Sequence, residues 1–221
     1  MRLLLASEGG RDIGRSGHDP ERHAGAVRVL VARIVGHKLG RQLKPEEVVA
    51  RKLPRLHHGN GQPSGYPRKV DLAIKGAMVD GYTAVVIVVD RDRTPGRERL
   101  KSLEKGVAMA RAGNCPLADR TAVGVAIETA EAWLLADEVA LNAVLGLDPK
   151  WTALPDPETL GGRPGAGDHP KVVFSKALAE GTCTPQEPYT SVAEAANLDT
   201  VTARCPNGFG ELRKRVVSAC L

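Results

Sequence analysis

Asp90 and Asp92 stand two residues apart where an unbroken apolar run, Ala84 to Val89, comes to its end. Residues two apart in an extended chain point to the same side, so two carboxylates converge there. Such a pair of hard oxygen donors suits Mg²⁺ or Mn²⁺; it also suits two solvated aspartates in a turn closed by Pro95-Gly96. Arg91 and Arg93 alternate with them and point the other way. Two more acidic places share this character. Glu8 opens the turn Glu8-Gly9-Gly10-Arg11-Asp12, where glycine lets backbone come close to a ligand or simply turn. Glu128 and Glu131 stand three apart after a second apolar run, a spacing that puts both on one helix face. Acids there also stabilise a helix N-terminus through its dipole.

The elements that must position these residues follow from the pattern of apolar side chains. Arg2–Ser7, Ala84–Val89 and Thr121–Ile127 read as short strands, the middle one buried on both faces. Helices are expected from Asp19-Pro20 to Gly40, over Pro45–Leu53, over Lys69–Asp80 with Met78 turned inward, over Glu98–Arg111, and from Glu128 onward. Strand and helix alternate, so the fold class is α/β: a mostly parallel, Rossmann-like sheet with helices on both faces. The acidic places then lie at strand carboxyl ends, where open α/β sheets keep their sites. Later in the chain, Asp168 is expected to cap a helix over Pro170–Ala179, with His169 and Lys171 at its start. Thr190–Asn197 reads as a short helix capped by Thr190, Leu198–Cys205 as a last strand and Pro206–Cys220 as the final helix. His18 and His23 near one helix start, and Arg55, His57 and His58 in a Gly- and Pro-rich loop, are polar groups that either meet an anion or sit in solvent.

The 221 residues suffice for one domain with a real core, read as 1–221 with a helical extension from about 150. Composition is that of a soluble globular chain, and the net charge of +5 permits a polyanionic partner. Aromatic residues are only 3%, too few for a base-stacking platform of the single-strand-binding kind. Cys115, Cys183, Cys205 and Cys220 form no CxxC pair, which argues against a zinc site or disulfide framework and for a reduced, cytoplasmic setting. The opening Met-Arg-Leu-Leu-Leu-Ala-Ser is too short for a signal peptide, and no apolar run approaches the ~20 residues of a membrane span.

Taken together, Glu8-Gly9-Gly10-Arg11-Asp12 after the first strand and Asp90-Arg91-Asp92 after a later one resemble the TOPRIM fold of topoisomerases, primases and overcoming-lysogenization-defect nucleases. The chain is most similar to a TOPRIM-like bacterial family related to those nucleases and often encoded beside ATPases. That likeness extends through Ile127-Glu128-Thr-Ala-Glu131-Ala-Trp133-Leu-Leu-Ala-Asp137, His169-Pro170-Lys171 and Ala203-Arg204-Cys205-Pro206. The resemblance implies metal-dependent phosphodiester cleavage, in bacterial defence and beside an ATPase partner. Glu8, Asp90, Asp92 and Glu131 would be the catalytic acids. With Glu128 they would hold Mg²⁺ or Mn²⁺, Glu8 serving as ligand or general base. Arg11, Arg91, Arg93 and Lys171 would meet phosphate. The chain departs from the pattern in having no lysine just after the Asp-x-Asp, so Arg91, Arg93 or Lys171 would have to serve. Nucleic acid, DNA first, is the expected substrate; no membrane is expected, and a homodimer stays open. Two rivals remain. Asp90-Arg-Asp92-Arg-Thr94 also fits haloacid-dehalogenase-type phosphatases, with Asp90 as nucleophile. Alternatively, the chain is a non-catalytic adaptor of an ATPase, its metal site degenerate.

Overall fold

The structure, a computed structural model, describes residues 1–8, 25–43, 47–54, 65–91, 96–148, 156–159, 167–183, 185 and 187–220. Four strands form one all-parallel sheet in the order β2-β1-β3-β4. They are β1 (Leu3–Ser7), β2 (Val48–Lys52), β3 (Ala84–Asp90) and β4 (Thr121–Ala126). The chain is therefore an α/β protein of Rossmann-like type. Side-chain alternation divides the core into two layers. Leu3, Leu5, Ala84, Val86 and Val88 face one layer; Leu4, Ala6, Val85, Ile87 and Val89 face the other.

Each helix takes the layer that the topology requires. α1 (Ala26–Leu39) joins β1 to β2 on the first face, whereas α2 (Tyr66–Val79) and α3 (Gly96–Ala112) cover the second. Because β2 and β3 lie on opposite sides of β1, the connection changes face between them. A crevice between β1 and β3 at their carboxyl ends is the topological switch point of such a sheet. The remaining helices close the first face: α4 (Glu131–Leu135), α5 (Glu138–Leu145), α6 (Pro170–Glu180), α7 (Pro188–Ala195), α8 (Leu198–Arg204) and α9 (Glu211–Cys220). Their apolar residues, Trp133, Phe174, Val192, Val201 and Leu212 among them, share one core with β1, β3 and β4. Gly124 of β4 brings α9 close: a Cβ there would stand 2.7 Å from Leu212 Cδ1.

Several local expectations are corrected. Val48–Lys52 is a strand, not a helix. Pairing of Leu3 with Val48 through Ser7 with Lys52 outweighs the helix-start look of Pro45-Glu46-Glu47. α2 begins at Tyr66 rather than Lys69, and Met78, expected inside, is 42% exposed. Leu198–Arg204 is helical; the Asn197 side chain accepts the N–H groups of Asp199 and Thr200, a cap that a strand reading overlooks. The cap of α6 is His169, not Asp168, and α7 starts at Pro188 after Glu187 rather than at Thr190. The Asp19-Pro20 helix start, His18, His23, Arg55, His57 and His58 lie outside the described residues. Among the described residues, no helix is long and apolar enough to cross a membrane.

Candidate functional site

Glu8, Asp90 and the Glu128–Glu131 segment all lie at the carboxyl end of the sheet: Glu8 follows β1, Asp90 is the last residue of β3, and Glu128–Glu131 follows β4. These are three consecutive strands in space, so one rim carries them all. Arg11, Asp92 and Arg93 lie outside the described residues.

The rim has two sides, because strand alternation sends its acids to different layers. Asp90 continues the series Ala84, Val86, Val88 and turns to the first layer, where Lys171 in the opening turn of α6 reaches it (Nζ–Oδ2 3.5 Å). Glu8 continues Leu4 and Ala6 and turns to the second layer, meeting the start of α2. Lys69 donates to Glu8 Oε1 at 2.9 Å, and the Tyr66 hydroxyl donates to Oε2. Two cations approach the Tyr66 ring, with Arg99 4.3 Å and Lys69 5.1 Å from its centroid. Arg99 in turn donates to the Arg91 carbonyl at 3.3 Å. Lys69 directly follows the Gly- and Pro-rich loop that the sequence offers either as closing over a phosphate or as plain surface, whereas Tyr66 and Arg99 escape sequence reasoning. The signal for positions 66 and 69 was the Gly65-Tyr66-Pro67 helix start, which places them one turn apart on one face.

Glu128 does not open a helix with Glu131. It stands before α4 with φ +60° and is buried, paired with Arg91. A left-handed conformation in a buried non-glycine residue is strained, and the Arg91 pair holds it. Glu131, the first residue of α4, is 4% exposed. Its electrostatic neighbour is His169, also buried, which caps α6 by accepting the Lys171 N–H at Nδ1 (3.3 Å). That acceptor role leaves Nε2 to carry the proton of the neutral ring. Burial first, and then the Lys171 ammonium, lower the His169 pKa from its ordinary value; Glu131 and Asp168 act the other way.

The structure thus pairs Asp90 with Lys171 and Arg91 with Glu128, while the buried Glu131 is felt electrostatically by His169. Among the described residues, no three His, Cys, Asp or Glu side chains gather as a metal-holding group. Burial pushes the Cys220 thiol up to about 11 and that of Cys205 higher still, which disfavours the thiolate at both. What the rim offers is carboxylates that each face a cation of the same chain: Glu8 with Lys69, Asp90 with Lys171 and Glu128 with Arg91. No family model, curated protein or solved structure matches the chain.

Proposed function

We propose that the chain is a TOPRIM-type, metal-dependent nuclease that hydrolyses phosphodiester bonds in nucleic acid, DNA first, and works with an ATPase partner in bacterial defence. The observation that carries the reading is the placement of acids at the carboxyl ends of three neighbouring strands, on the rim that flanks the switch point. The donor set fits Mg²⁺ or Mn²⁺ chemically, being all carboxylate oxygen. Asp90, Asp92 and Glu131 would hold the ion, with Glu128 and Glu8 next to them along the rim. The bound ion would supply charge neutralisation at the phosphate and an acidified water.

The chain's own residues account for the rest. Lys171, at 3.5 Å from Asp90, is the candidate partner for a phosphate oxygen. Arg91 orients Glu128 and so fixes the backbone after β4. Glu8, with both oxygens held by Lys69 and Tyr66, is a rigid acceptor at the switch point and the candidate base. The test is cleavage of plasmid, single-stranded DNA and RNA by the purified full chain with Mn²⁺ or Mg²⁺, with Asp90→Asn as control. Cleavage that chelation stops and Asp90→Asn abolishes supports the reading; equal cleavage by wild type and variant overturns it.

One observation favours the adaptor reading. Glu8, Asp90 and Glu128 each already meet a cation of the same chain, so the rim is charge-compensated with no ion added. Calorimetric titration with Mn²⁺ separates the two, because an adaptor has no need to take up the ion through these acids.

A further inference from the structure

Away from the acidic rim, a short turn delivers one carboxylate to a set of backbone amides. In Asp156–Thr159, the Glu158 N–H donates to Asp156 Oδ1 at 2.9 Å, and Thr159 donates twice to the Asp156 carbonyl. The turn presents Glu158, which is 5% exposed, to the start of the unbroken helical run from Pro206 to Cys220. There Asn207 N–H donates to Oε2 at 3.0 Å and Gly208 N–H to Oε1 at 2.6 Å, and the following Phe209 N–H also favours the charged carboxylate. A Cβ at Gly208 would stand 2.5 Å from Glu158 Oε1 and 3.1 Å from the Val125 carbonyl oxygen, so a side chain there would push the carboxylate aside.

The donors outnumber what Glu158 satisfies. Trp133 is fully buried and its indole Nε1 has no partner among the described residues, yet it lies 3.1 Å from that same Cβ point on Gly208. A buried donor without an acceptor costs ~1–3 kcal/mol and calls for an explanation. Beside the nest is a cavity of about 610 Å³, in the range of ligand pockets. Arg91, Arg215, Asn207, Gly208, Glu158 and Thr159 line it.

We propose that the amides of Asn207, Gly208 and Phe209 form a phosphate-binding site that Glu158 fills as a built-in occupant, and that a phosphate group entering through the adjoining cavity displaces it. Successive backbone N–H groups in such a concavity bind anions. A carboxylate brings two oxygens and leaves the Trp133 N–H unanswered; a tetrahedral phosphate brings further oxygens that can accept it. Arg91, paired with Glu128, and Arg215, 2.8 Å from Glu104, line the path together with Glu211. This site stands or falls separately from cleavage at the rim, because it is read by binding alone.

The experiment uses the full chain, ¹⁵N-labelled at tryptophan, with Trp151→Phe to assign the Trp133 indole resonance. Inorganic phosphate is titrated into wild type, Glu158→Ala and Glu158→Gln. An internal occupant competes at an effective concentration in the millimolar range, so its removal should tighten phosphate binding by about tenfold or more. The Trp133 resonance should move saturably in the Ala variant, and Glu158→Gln, which keeps the volume, carries the same test should Glu158→Ala not fold. The proposal is overturned if the resonance stays still in the folded variants, or moves equally in wild type. If neither variant folds, Glu158 is a structural strut and the proposal falls.

Discussion

Replacing Lys171 by methionine keeps the aliphatic stem and removes the cation 3.5 Å from Asp90. At that separation two unit charges interact by about 1 kcal/mol in a water-like medium and about 5 kcal/mol at an effective dielectric constant of 20. The Lys171 side chain is 47% exposed and that of Asp90 22%, so the water-like end applies. As a contribution to folding, such a pair is worth ~0–1 kcal/mol once side-chain ordering and salt are counted. Lys171→Met should therefore leave the urea midpoint nearly unchanged. Metal affinity is another matter. If Asp90 is a ligand, the ammonium competes with the incoming ion, and removing about 1 kcal/mol of that competition should tighten Mn²⁺ binding by roughly fivefold. Cleavage should fall in the same variant, because the cation beside the phosphate is gone. Calorimetry with Mn²⁺ and a single-turnover cleavage assay read the two effects. Weaker Mn²⁺ binding in Lys171→Met would refute the reasoning, since Lys171 would then be organising the acids rather than competing with an ion.

Asp90→Asn should remove most Mn²⁺ binding by calorimetry while shifting stability by no more than ~1 kcal/mol in urea, as expected for a part-exposed pair. Glu8→Gln should lower the single-turnover rate and leave the thermal midpoint close to wild type, because the amide keeps the shape but not the basicity. Phe174→Ala empties a fully buried position packed 4.7 Å from the Tyr189 ring centroid, and should cost ~3–5 kcal/mol by chemical denaturation. Glu158 gives a pH dependence. Burial raises its folded pKa above the unfolded one despite the amide bonds, so its stabilising contribution is full below the unfolded value and is lost as pH rises through the folded one. Glu158→Gln should show a flatter stability profile across that window than wild type; a steeper one would contradict the sign.

The layered α/β class was legible in the chain because buried strands advertise themselves. Ala84–Val89 can be little else than a central strand, and Thr121–Ala126 is nearly as plain. The carboxyl-end position of Glu8, Asp90 and Glu131 follows once those strands are parallel. β2 was not legible: Val48–Lys52 is a short edge strand, Val-Val-Ala-Arg-Lys, whose identity comes from its β1 partner, and sequence periodicity cannot report a distant partner. α8 was misread for a related reason, since a β-branched stretch is helical once Asn197 caps it and Val201 packs into the core. At the rim, residue types and spacing named the acids, but only the tertiary structure decided which layer each one enters. A strand fixes only that neighbours alternate; the helices stacked on each face decide what they meet. Hence Glu8 finds Tyr66 and Lys69 of α2, Asp90 finds Lys171 of α6, and Glu128 takes a strained turn against Arg91. Glu158 is the extreme case: nothing in its neighbourhood along the chain foretells the amides of Asn207 and Gly208, about fifty residues away, because hydrogen bonds to backbone leave no trace in side-chain identity.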